Sequence, residues 1–358
     1  MLRSTLSCLL LLVGSAHGDD LSALTDACNS GQAHACTRVG LAYSTGSGAI
    51  LDPSRAAGLF RLACNNADLD GCYHLGTALV AGHGVDADRG EAARLFRRAC
   101  DGGFPAACSS LVKLASPQFD AALIKNLLAQ LTAGCDRHEV SWCLELGHVY
   151  ADGVPGVTPD AGRAFAIFEQ ACERGSGAGC NHLGALYLRG LAAPKSERRA
   201  AALFRRACEL NSVDGCFNLG VLFATGRGVP GDEPRAVELY SRACDGGVAE
   251  ACGNLGLMLA SARGVARDEA RATELYRRAC DGGVSASCGN LGVMYAKGRG
   301  VSADPANALD LFQRACKGGS ADGCYNLACM YIRAGQRPPA VEKSAPPTAA
   351  LGPLFASH

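Results

Sequence analysis

Around residues 270 to 300 the apolar positions keep a helical rhythm twice, interrupted by a glycine turn. Ala272, Leu275, Tyr276 and Ala279 recur at three- and four-residue steps and predict one amphipathic helix. The stretch Ala279-Cys280-Asp281-Gly282-Gly283-Val284-Ser285-Ala286-Ser287-Cys288 then reads as a helix end, a short turn and a new helix start. Leu291, Gly292 and Tyr295 mark the core face of the second helix. The first pattern, type B, returns as Leu59/Phe60, Leu95/Phe96, Ile167/Phe168, Leu203/Phe204, Leu239/Tyr240 and Leu311/Phe312. The second, type A, returns as Leu183-Gly184-Tyr187 and Leu219-Gly220-Phe223. A glycine inside helix A lowers helix propensity, which is offset if a neighbouring backbone approaches closely there. A longer loop, Lys297 to Pro305, joins A to B; it ends in Asp304 as a cap with Pro305 at the first helical position. Asp52-Pro53 repeats this start, and Asp88, Asp232 and Asp268 supply the cap elsewhere.

The cysteines turn this alternation into a period. Nine pairs share the spacing Cys-x7-Cys: Cys28/Cys36, Cys64/Cys72, Cys100/Cys108, Cys135/Cys143, Cys172/Cys180, Cys208/Cys216, Cys244/Cys252, Cys280/Cys288 and Cys316/Cys324. Their first members lie 36, 36, 35, 37, 36, 36, 36 and 36 residues apart. Such regularity predicts stacked helical hairpins, an all-α solenoid over residues 19–334, rather than separate globular domains. Val284 is the midpoint of Cys280 and Cys288, so in an antiparallel hairpin the two face each other, and each bridge should staple a B helix to the A helix after it. Closing a nine-residue loop restricts the unfolded chain by about 2.5 kcal/mol in the chain-entropy model. Zinc is the competing use of paired cysteines, but the close knuckle spacing of a structural zinc site is missing.

Composition decides the compartment. Twenty cysteines among 358 residues point to an oxidising environment. Arg3, the apolar run Leu9 to Val13 and the small residues of Ala16-His17-Gly18 read as a signal peptide over residues 1–18, cleaved before Asp19. Cys8 precedes the apolar run and would leave with it. Equal numbers of basic and acidic residues, 34 of each, give no basic stripe for nucleic acid, and no further stretch is long and apolar enough to span a membrane. The expected product is an exported monomer, periplasmic or secreted. After Tyr331 the periodicity stops, and the proline-rich residues 335–358 read as a disordered tail.

Two places depart from the pattern. Between Cys108 and Cys135 the glycine loop is replaced by Ser116-Pro117 and the regular run Ala121 to Leu131, which should bend or tighten the array. Cys329 lacks a Cys-x7 partner; its slot holds Val293, Leu257 and Val221 elsewhere, so it reads as a buried apolar residue or as an intermolecular bridge.

The run Asn290-Leu291-Gly292-Val293-Met294-Tyr295-Ala296-Lys297-Gly298-Arg299-Gly300-Val301, closed by Ala308, Leu311-Phe312-Gln313-Arg314-Ala315-Cys316, resembles a Sel1-like repeat. With its paired cysteines the chain is similar to the Helicobacter cysteine-rich protein family of exported bacterial proteins. The resemblance implies a right-handed αα-superhelix related to tetratricopeptide repeats. It also implies penicillin binding and weak β-lactam hydrolysis as an alternative activity. A serine β-lactamase needs Ser-x-x-Lys, Ser-Asp-Asn and Lys-Thr-Gly together, and only Ser110-Leu111-Val112-Lys113 is present.

Other chemistry is sparse. The eight histidines follow no metal-ligand spacing, and the Gly-x-Gly-Val loops lack the Lys-Ser/Thr of a phosphate loop, so neither metal nor cofactor is expected and the loops read as turns. What remains is a surface. Two residues after the second cysteine of each pair stand Arg38, His74, Ser110, Glu145, His182, Asn218, Asn254, Asn290 and Asn326. This position lies about 100° around the helix from the core leucine, on the flank of Met258 and Met294. Stacking would align it into a ladder, with His182, Asn218, Asn254, Asn290 and Asn326 as a candidate groove for a protein, an extended peptide or a cell-wall-type glycan. The competing reading is that these side chains serve contacts between repeats. The leading expectation is an exported, disulfide-stapled interaction scaffold without catalytic residues.

Overall fold

A computed structural model describes residues 21–46, 48–115 and 121–333. The signal peptide, the break at Ser116-Pro117 and the proline-rich tail lie outside the described residues. Among the described residues the chain is an all-α repeat solenoid of eighteen helices. They are α1 (Leu21–Asn29), α2 (Ala33–Thr45), α3 (Pro53–Asn65), α4 (Leu69–Ala81), α5 (Arg89–Asp101), α6 (Pro105–Leu114), α7 (Ala121–Asp136), α8 (Val140–Asp152) and α9 (Ala161–Glu173). The remainder are α10 (Gly177–Arg189), α11 (Glu197–Glu209), α12 (Val213–Thr225), α13 (Glu233–Asp245), α14 (Ala249–Ser261), α15 (Glu269–Asp281), α16 (Ser285–Lys297), α17 (Pro305–Lys317) and α18 (Ala321–Arg333). Odd helices are type B and even helices type A. The chain divides into two compact units, residues 1–99 and 100–358.

Helix ends follow the capping residues. Asp52, Asp88, Asp232, Asp268 and Asp304 each accept the backbone N–H three residues on, at 2.8 to 3.1 Å. Asp160 and Ser196 do the same for α9 and α11. Each B helix ends at the glycine or polar turn, and the next A helix begins within four residues. Two disulfides in the first unit, Cys28–Cys36 and Cys64–Cys72, close such hairpins. Seven do so in the second: Cys100–Cys108, Cys135–Cys143, Cys172–Cys180, Cys208–Cys216, Cys244–Cys252, Cys280–Cys288 and Cys316–Cys324. The Cα atoms of each pair sit 4.4 to 4.8 Å apart, at the short end of the range a disulfide accepts. Small neighbours make this approach possible: a Cβ on Gly179 would lie 2.7 Å from that of Ala171.

The glycine inside helix A accommodates an aromatic ring rather than a neighbouring backbone. A Cβ on Gly184 would meet Phe204 Cε1 at 2.7 Å, and one on Gly292 would meet Phe312 Cε1 at 2.7 Å. Gly40/Phe60 and Gly76/Phe96 repeat the socket in the first unit; Gly147/Phe168, Gly220/Tyr240 and Gly256/Tyr276 repeat it in the second. Every one of these rings is buried. Thus the disulfide fixes B to the following A, and the socket packs that A against the following B. The loop glycine has its own reason: a Cβ on Gly300 would run into the backbone carbonyl of Glu269 at the start of the preceding B helix.

The helices α6 to α8 solve both packing problems in reverse. Where the seven A helices above have the socket glycine, α6 has Val112, and where their partner B helices have the aromatic ring, α7 has Leu131; both are fully buried. At the hairpin, the alanine before the first cysteine becomes Gly134, and the small residue before the second becomes Trp142, whose indole lies where a Cβ on Gly134 would be. Interior volume is redistributed rather than lost.

Candidate functional site

The ladder residues occupy equivalent places on successive A helices, and their surroundings differ. In the second unit His182, Asn218, Asn254, Asn290 and Asn326 are all half-buried on α10, α12, α14, α16 and α18. Asn218 Nδ2 donates to Asn181 Oδ1 at 2.8 Å, linking α12 to α10. Asn254 is a polar neighbour of Tyr240, whose pKa burial nevertheless raises to about 12. Part of the ladder's polar capacity is therefore spent between repeats. Met258 and Met294 belong to the core rather than to an open flank.

In the first unit Arg38 is exposed, and His74 Nε2 lies 3.2 Å from Asp70 Oδ1, one turn earlier on α4. The His74 ring stacks on Phe60, with centroids 5.2 Å apart. Its hydrogen bond holds the Asp70 carboxyl below the usual range. His74, Phe60, Leu51, Thr77 and His83 help line a cavity of about 430 Å³.

At the start of the second unit Ser110 is half-buried and Lys113 exposed on α6. The serine hydroxyl engaged with a carboxylate is the preceding one: Ser109 Oγ donates to Glu145 Oε2 at 2.5 Å. Ser109 is buried, so this bond satisfies an interior hydroxyl and leaves its carboxylate partner anchored. The carboxylate thus reaches Ser109, and not Ser110 of the Ser-x-x-Lys match.

A further contact escapes sequence reasoning. His148 on α8 and His182 on α10 bring their Nε2 atoms within 3.0 Å, the rings nearly perpendicular at 87°. Phe168 packs against both. Burial pushes the pKa of His182 down to about 3, with the charge of His148 adding to the effect. Burial also lowers His148, against the opposing pull of Glu145 and Asp152. The sequence lists these histidines 34 residues apart, and only the adjacency of successive A helices joins them. Among the described residues no three His, Cys, Asp or Glu side chains converge as a metal site. Cys329 is half-buried on α18 with a free thiol.

Seven segments match the Sel1 repeat model: residues 33–68, 69–104, 143–176, 177–212, 213–248, 249–284 and 285–320. The chain belongs to the Sel1 repeat family. Each matched repeat contains one glycine–aromatic socket, and the unmatched stretch 105–142 holds Val112 and Leu131 instead. A Sel1 repeat protein from Oxalobacter formigenes is similar in structure, with a TM-score of 0.55 and 21% identity over 88% of this chain and 91% of that one. A protective antigen of uropathogenic Escherichia coli with an SLR fold matches at 0.53 and 26% identity, over 88% of this chain and 68% of that one. Cysteine-rich protein B of Helicobacter pylori is 34% identical over 37% of this chain and 93% of that one, with a TM-score of 0.31. No curated protein matches the chain significantly. Among the described residues no helix is long and apolar enough to cross a membrane.

Proposed function

We propose that this Sel1 repeat protein is an exported interaction scaffold whose A helices bind an extended peptide or glycan. The observation that carries the reading is the pairing of a repeat-interaction fold with nine hairpin disulfides, a combination suited to an oxidising compartment. Signal peptide residues 1–18 and a periplasmic or secreted location belong to the same proposal. The half-buried edges of Asn218, Asn254, Asn290 and Asn326 offer amide groups at one repeat spacing, which matches the regular polar groups of an extended polymer. No bond found at Ser110 or Lys113 favours β-lactam hydrolysis.

The test is capture from periplasmic extract by the oxidised protein, followed by titration calorimetry of the captured partner against Asn254→Ala/Asn290→Ala. A loss of roughly tenfold in affinity or more supports the groove. Unchanged affinity removes it, and sustained nitrocefin hydrolysis abolished by one polar substitution would replace the scaffold with an enzyme.

A further inference from the structure

The contact between His148 and His182 can hold one proton comfortably. With Nε2 atoms 3.0 Å apart, one nitrogen donates and the other accepts. One added proton leaves an imidazolium donating to an imidazole; protonating both rings turns both nitrogens into donors and sets two positive charges against each other beside the buried ring of Phe168. We propose that this pair is an acid-sensitive joint that ties the hairpin α7–α8 to the hairpin α9–α10 at neutral pH and parts the two A helices on acidification.

The groups around the pair set the order of events. Glu145 and Asp152, both on α8, favour a charge on His148, whereas Lys113 on α6 opposes it. The ring that α9 presents, Phe168, is apolar and cannot neutralise either imidazolium. His148 therefore takes the first proton, and the second, on His182, is opposed by burial and by the charge already on His148. The other repeats avoid this arrangement. The place of His182 is held by Asn218, Asn254 and Asn290, and that of His148 by Val221, Leu257 and Val293. The joint is thus confined to one seam of the second unit, next to the stretch that departs from the repeat pattern.

Hydrogen–deuterium exchange of the oxidised full chain, corrected for intrinsic exchange, tests the inference at about pH 7.5 and about pH 5. Residues 140–152 and 177–189 are expected to lose protection roughly tenfold or more on acidification, while α14 and α16 keep theirs. The single tryptophan, Trp142, is buried on α8, and its emission should shift to the red over the same range. The double variant His148→Val/His182→Asn installs residues that neighbouring repeats already use; it should stay protected at both pH values. His182→Asn alone serves if the double variant is not protected at neutral pH. Wild type without a selective loss at the seam, or a folded variant that keeps the selective loss, overturns the proposal.

Discussion

The socket at Gly184 makes a quantitative prediction. Phe204 is fully buried, and its ring already lies within 2.7 to 3.2 Å of the place a Cβ would take. Gly184→Val adds three carbons there, an overpacking that costs about 1 to 3 kcal/mol, while the gain in helix propensity returns only about 0.4 kcal/mol. The net loss should be about 2 kcal/mol, or roughly thirtyfold faster amide exchange in α10 and α11. Phe204→Leu alone leaves a cavity and should cost about 1 to 2 kcal/mol. The double variant reproduces the Val112 and Leu131 combination found in α6 and α7, so it should be less destabilised than the sum by about 1 kcal/mol or more. Local exchange is the suitable assay because a long repeat array need not unfold in one step. Costs that add to within about 0.5 kcal/mol would refute the reasoning, since they would mean the glycine and the ring are not coupled.

Intact mass spectrometry without reductant should show two hydrogens missing for each of the nine bridges, on a chain beginning at Asp19; a fully reduced mass would refute the disulfides. Asp304→Ala removes the acceptor for the N–H groups of Ala306 and Asn307, so α17 should lose about 1 kcal/mol, read as faster exchange in its first turn with α15 unchanged. The depressed pKa of His182, about 3, also sets a pH dependence of stability. A histidine whose folded pKa is lowered stabilises fully above its unfolded value, about 6.5, and loses that contribution as pH falls toward the folded value. Near pH 5 the loss should be about 2 kcal/mol, seen as faster amide exchange in α8 and α10 that His148→Val/His182→Asn removes.

The repeat was legible because its signals are local. Cysteine spacing, capping aspartates and the helical rhythm of Leu275 and Tyr276 each act within a few residues, and repetition raised them above coincidence. The caps at Asp160 and Ser196 carried the same signal and could have been read with the others. What depended on tertiary contact was not legible. The glycine of helix A marked a close approach, but not that a ring from the next helix fills it. The exchange of Ala and a small residue for Gly134 and Trp142 makes sense only once the hairpin brings the two positions together. His148 looked scattered for the same reason, whereas His182 stood out merely by its place in the ladder. The asparagines remain divided: their spacing was visible, but the bond of Asn218 to Asn181 was not.

The alternation of sulfur bridge and ring-in-glycine socket has an evolutionary consequence for residues 143–320. Neither joint coincides with the other's boundary, so no cut through this array yields a fragment with both its ends complete. Duplication or excision of a whole period, begun anywhere, restores one joint of each kind and leaves every other intact. A change of fractional length would orphan a thiol and leave a buried ring without its recess, so growth and shrinkage by gene rearrangement are quantised.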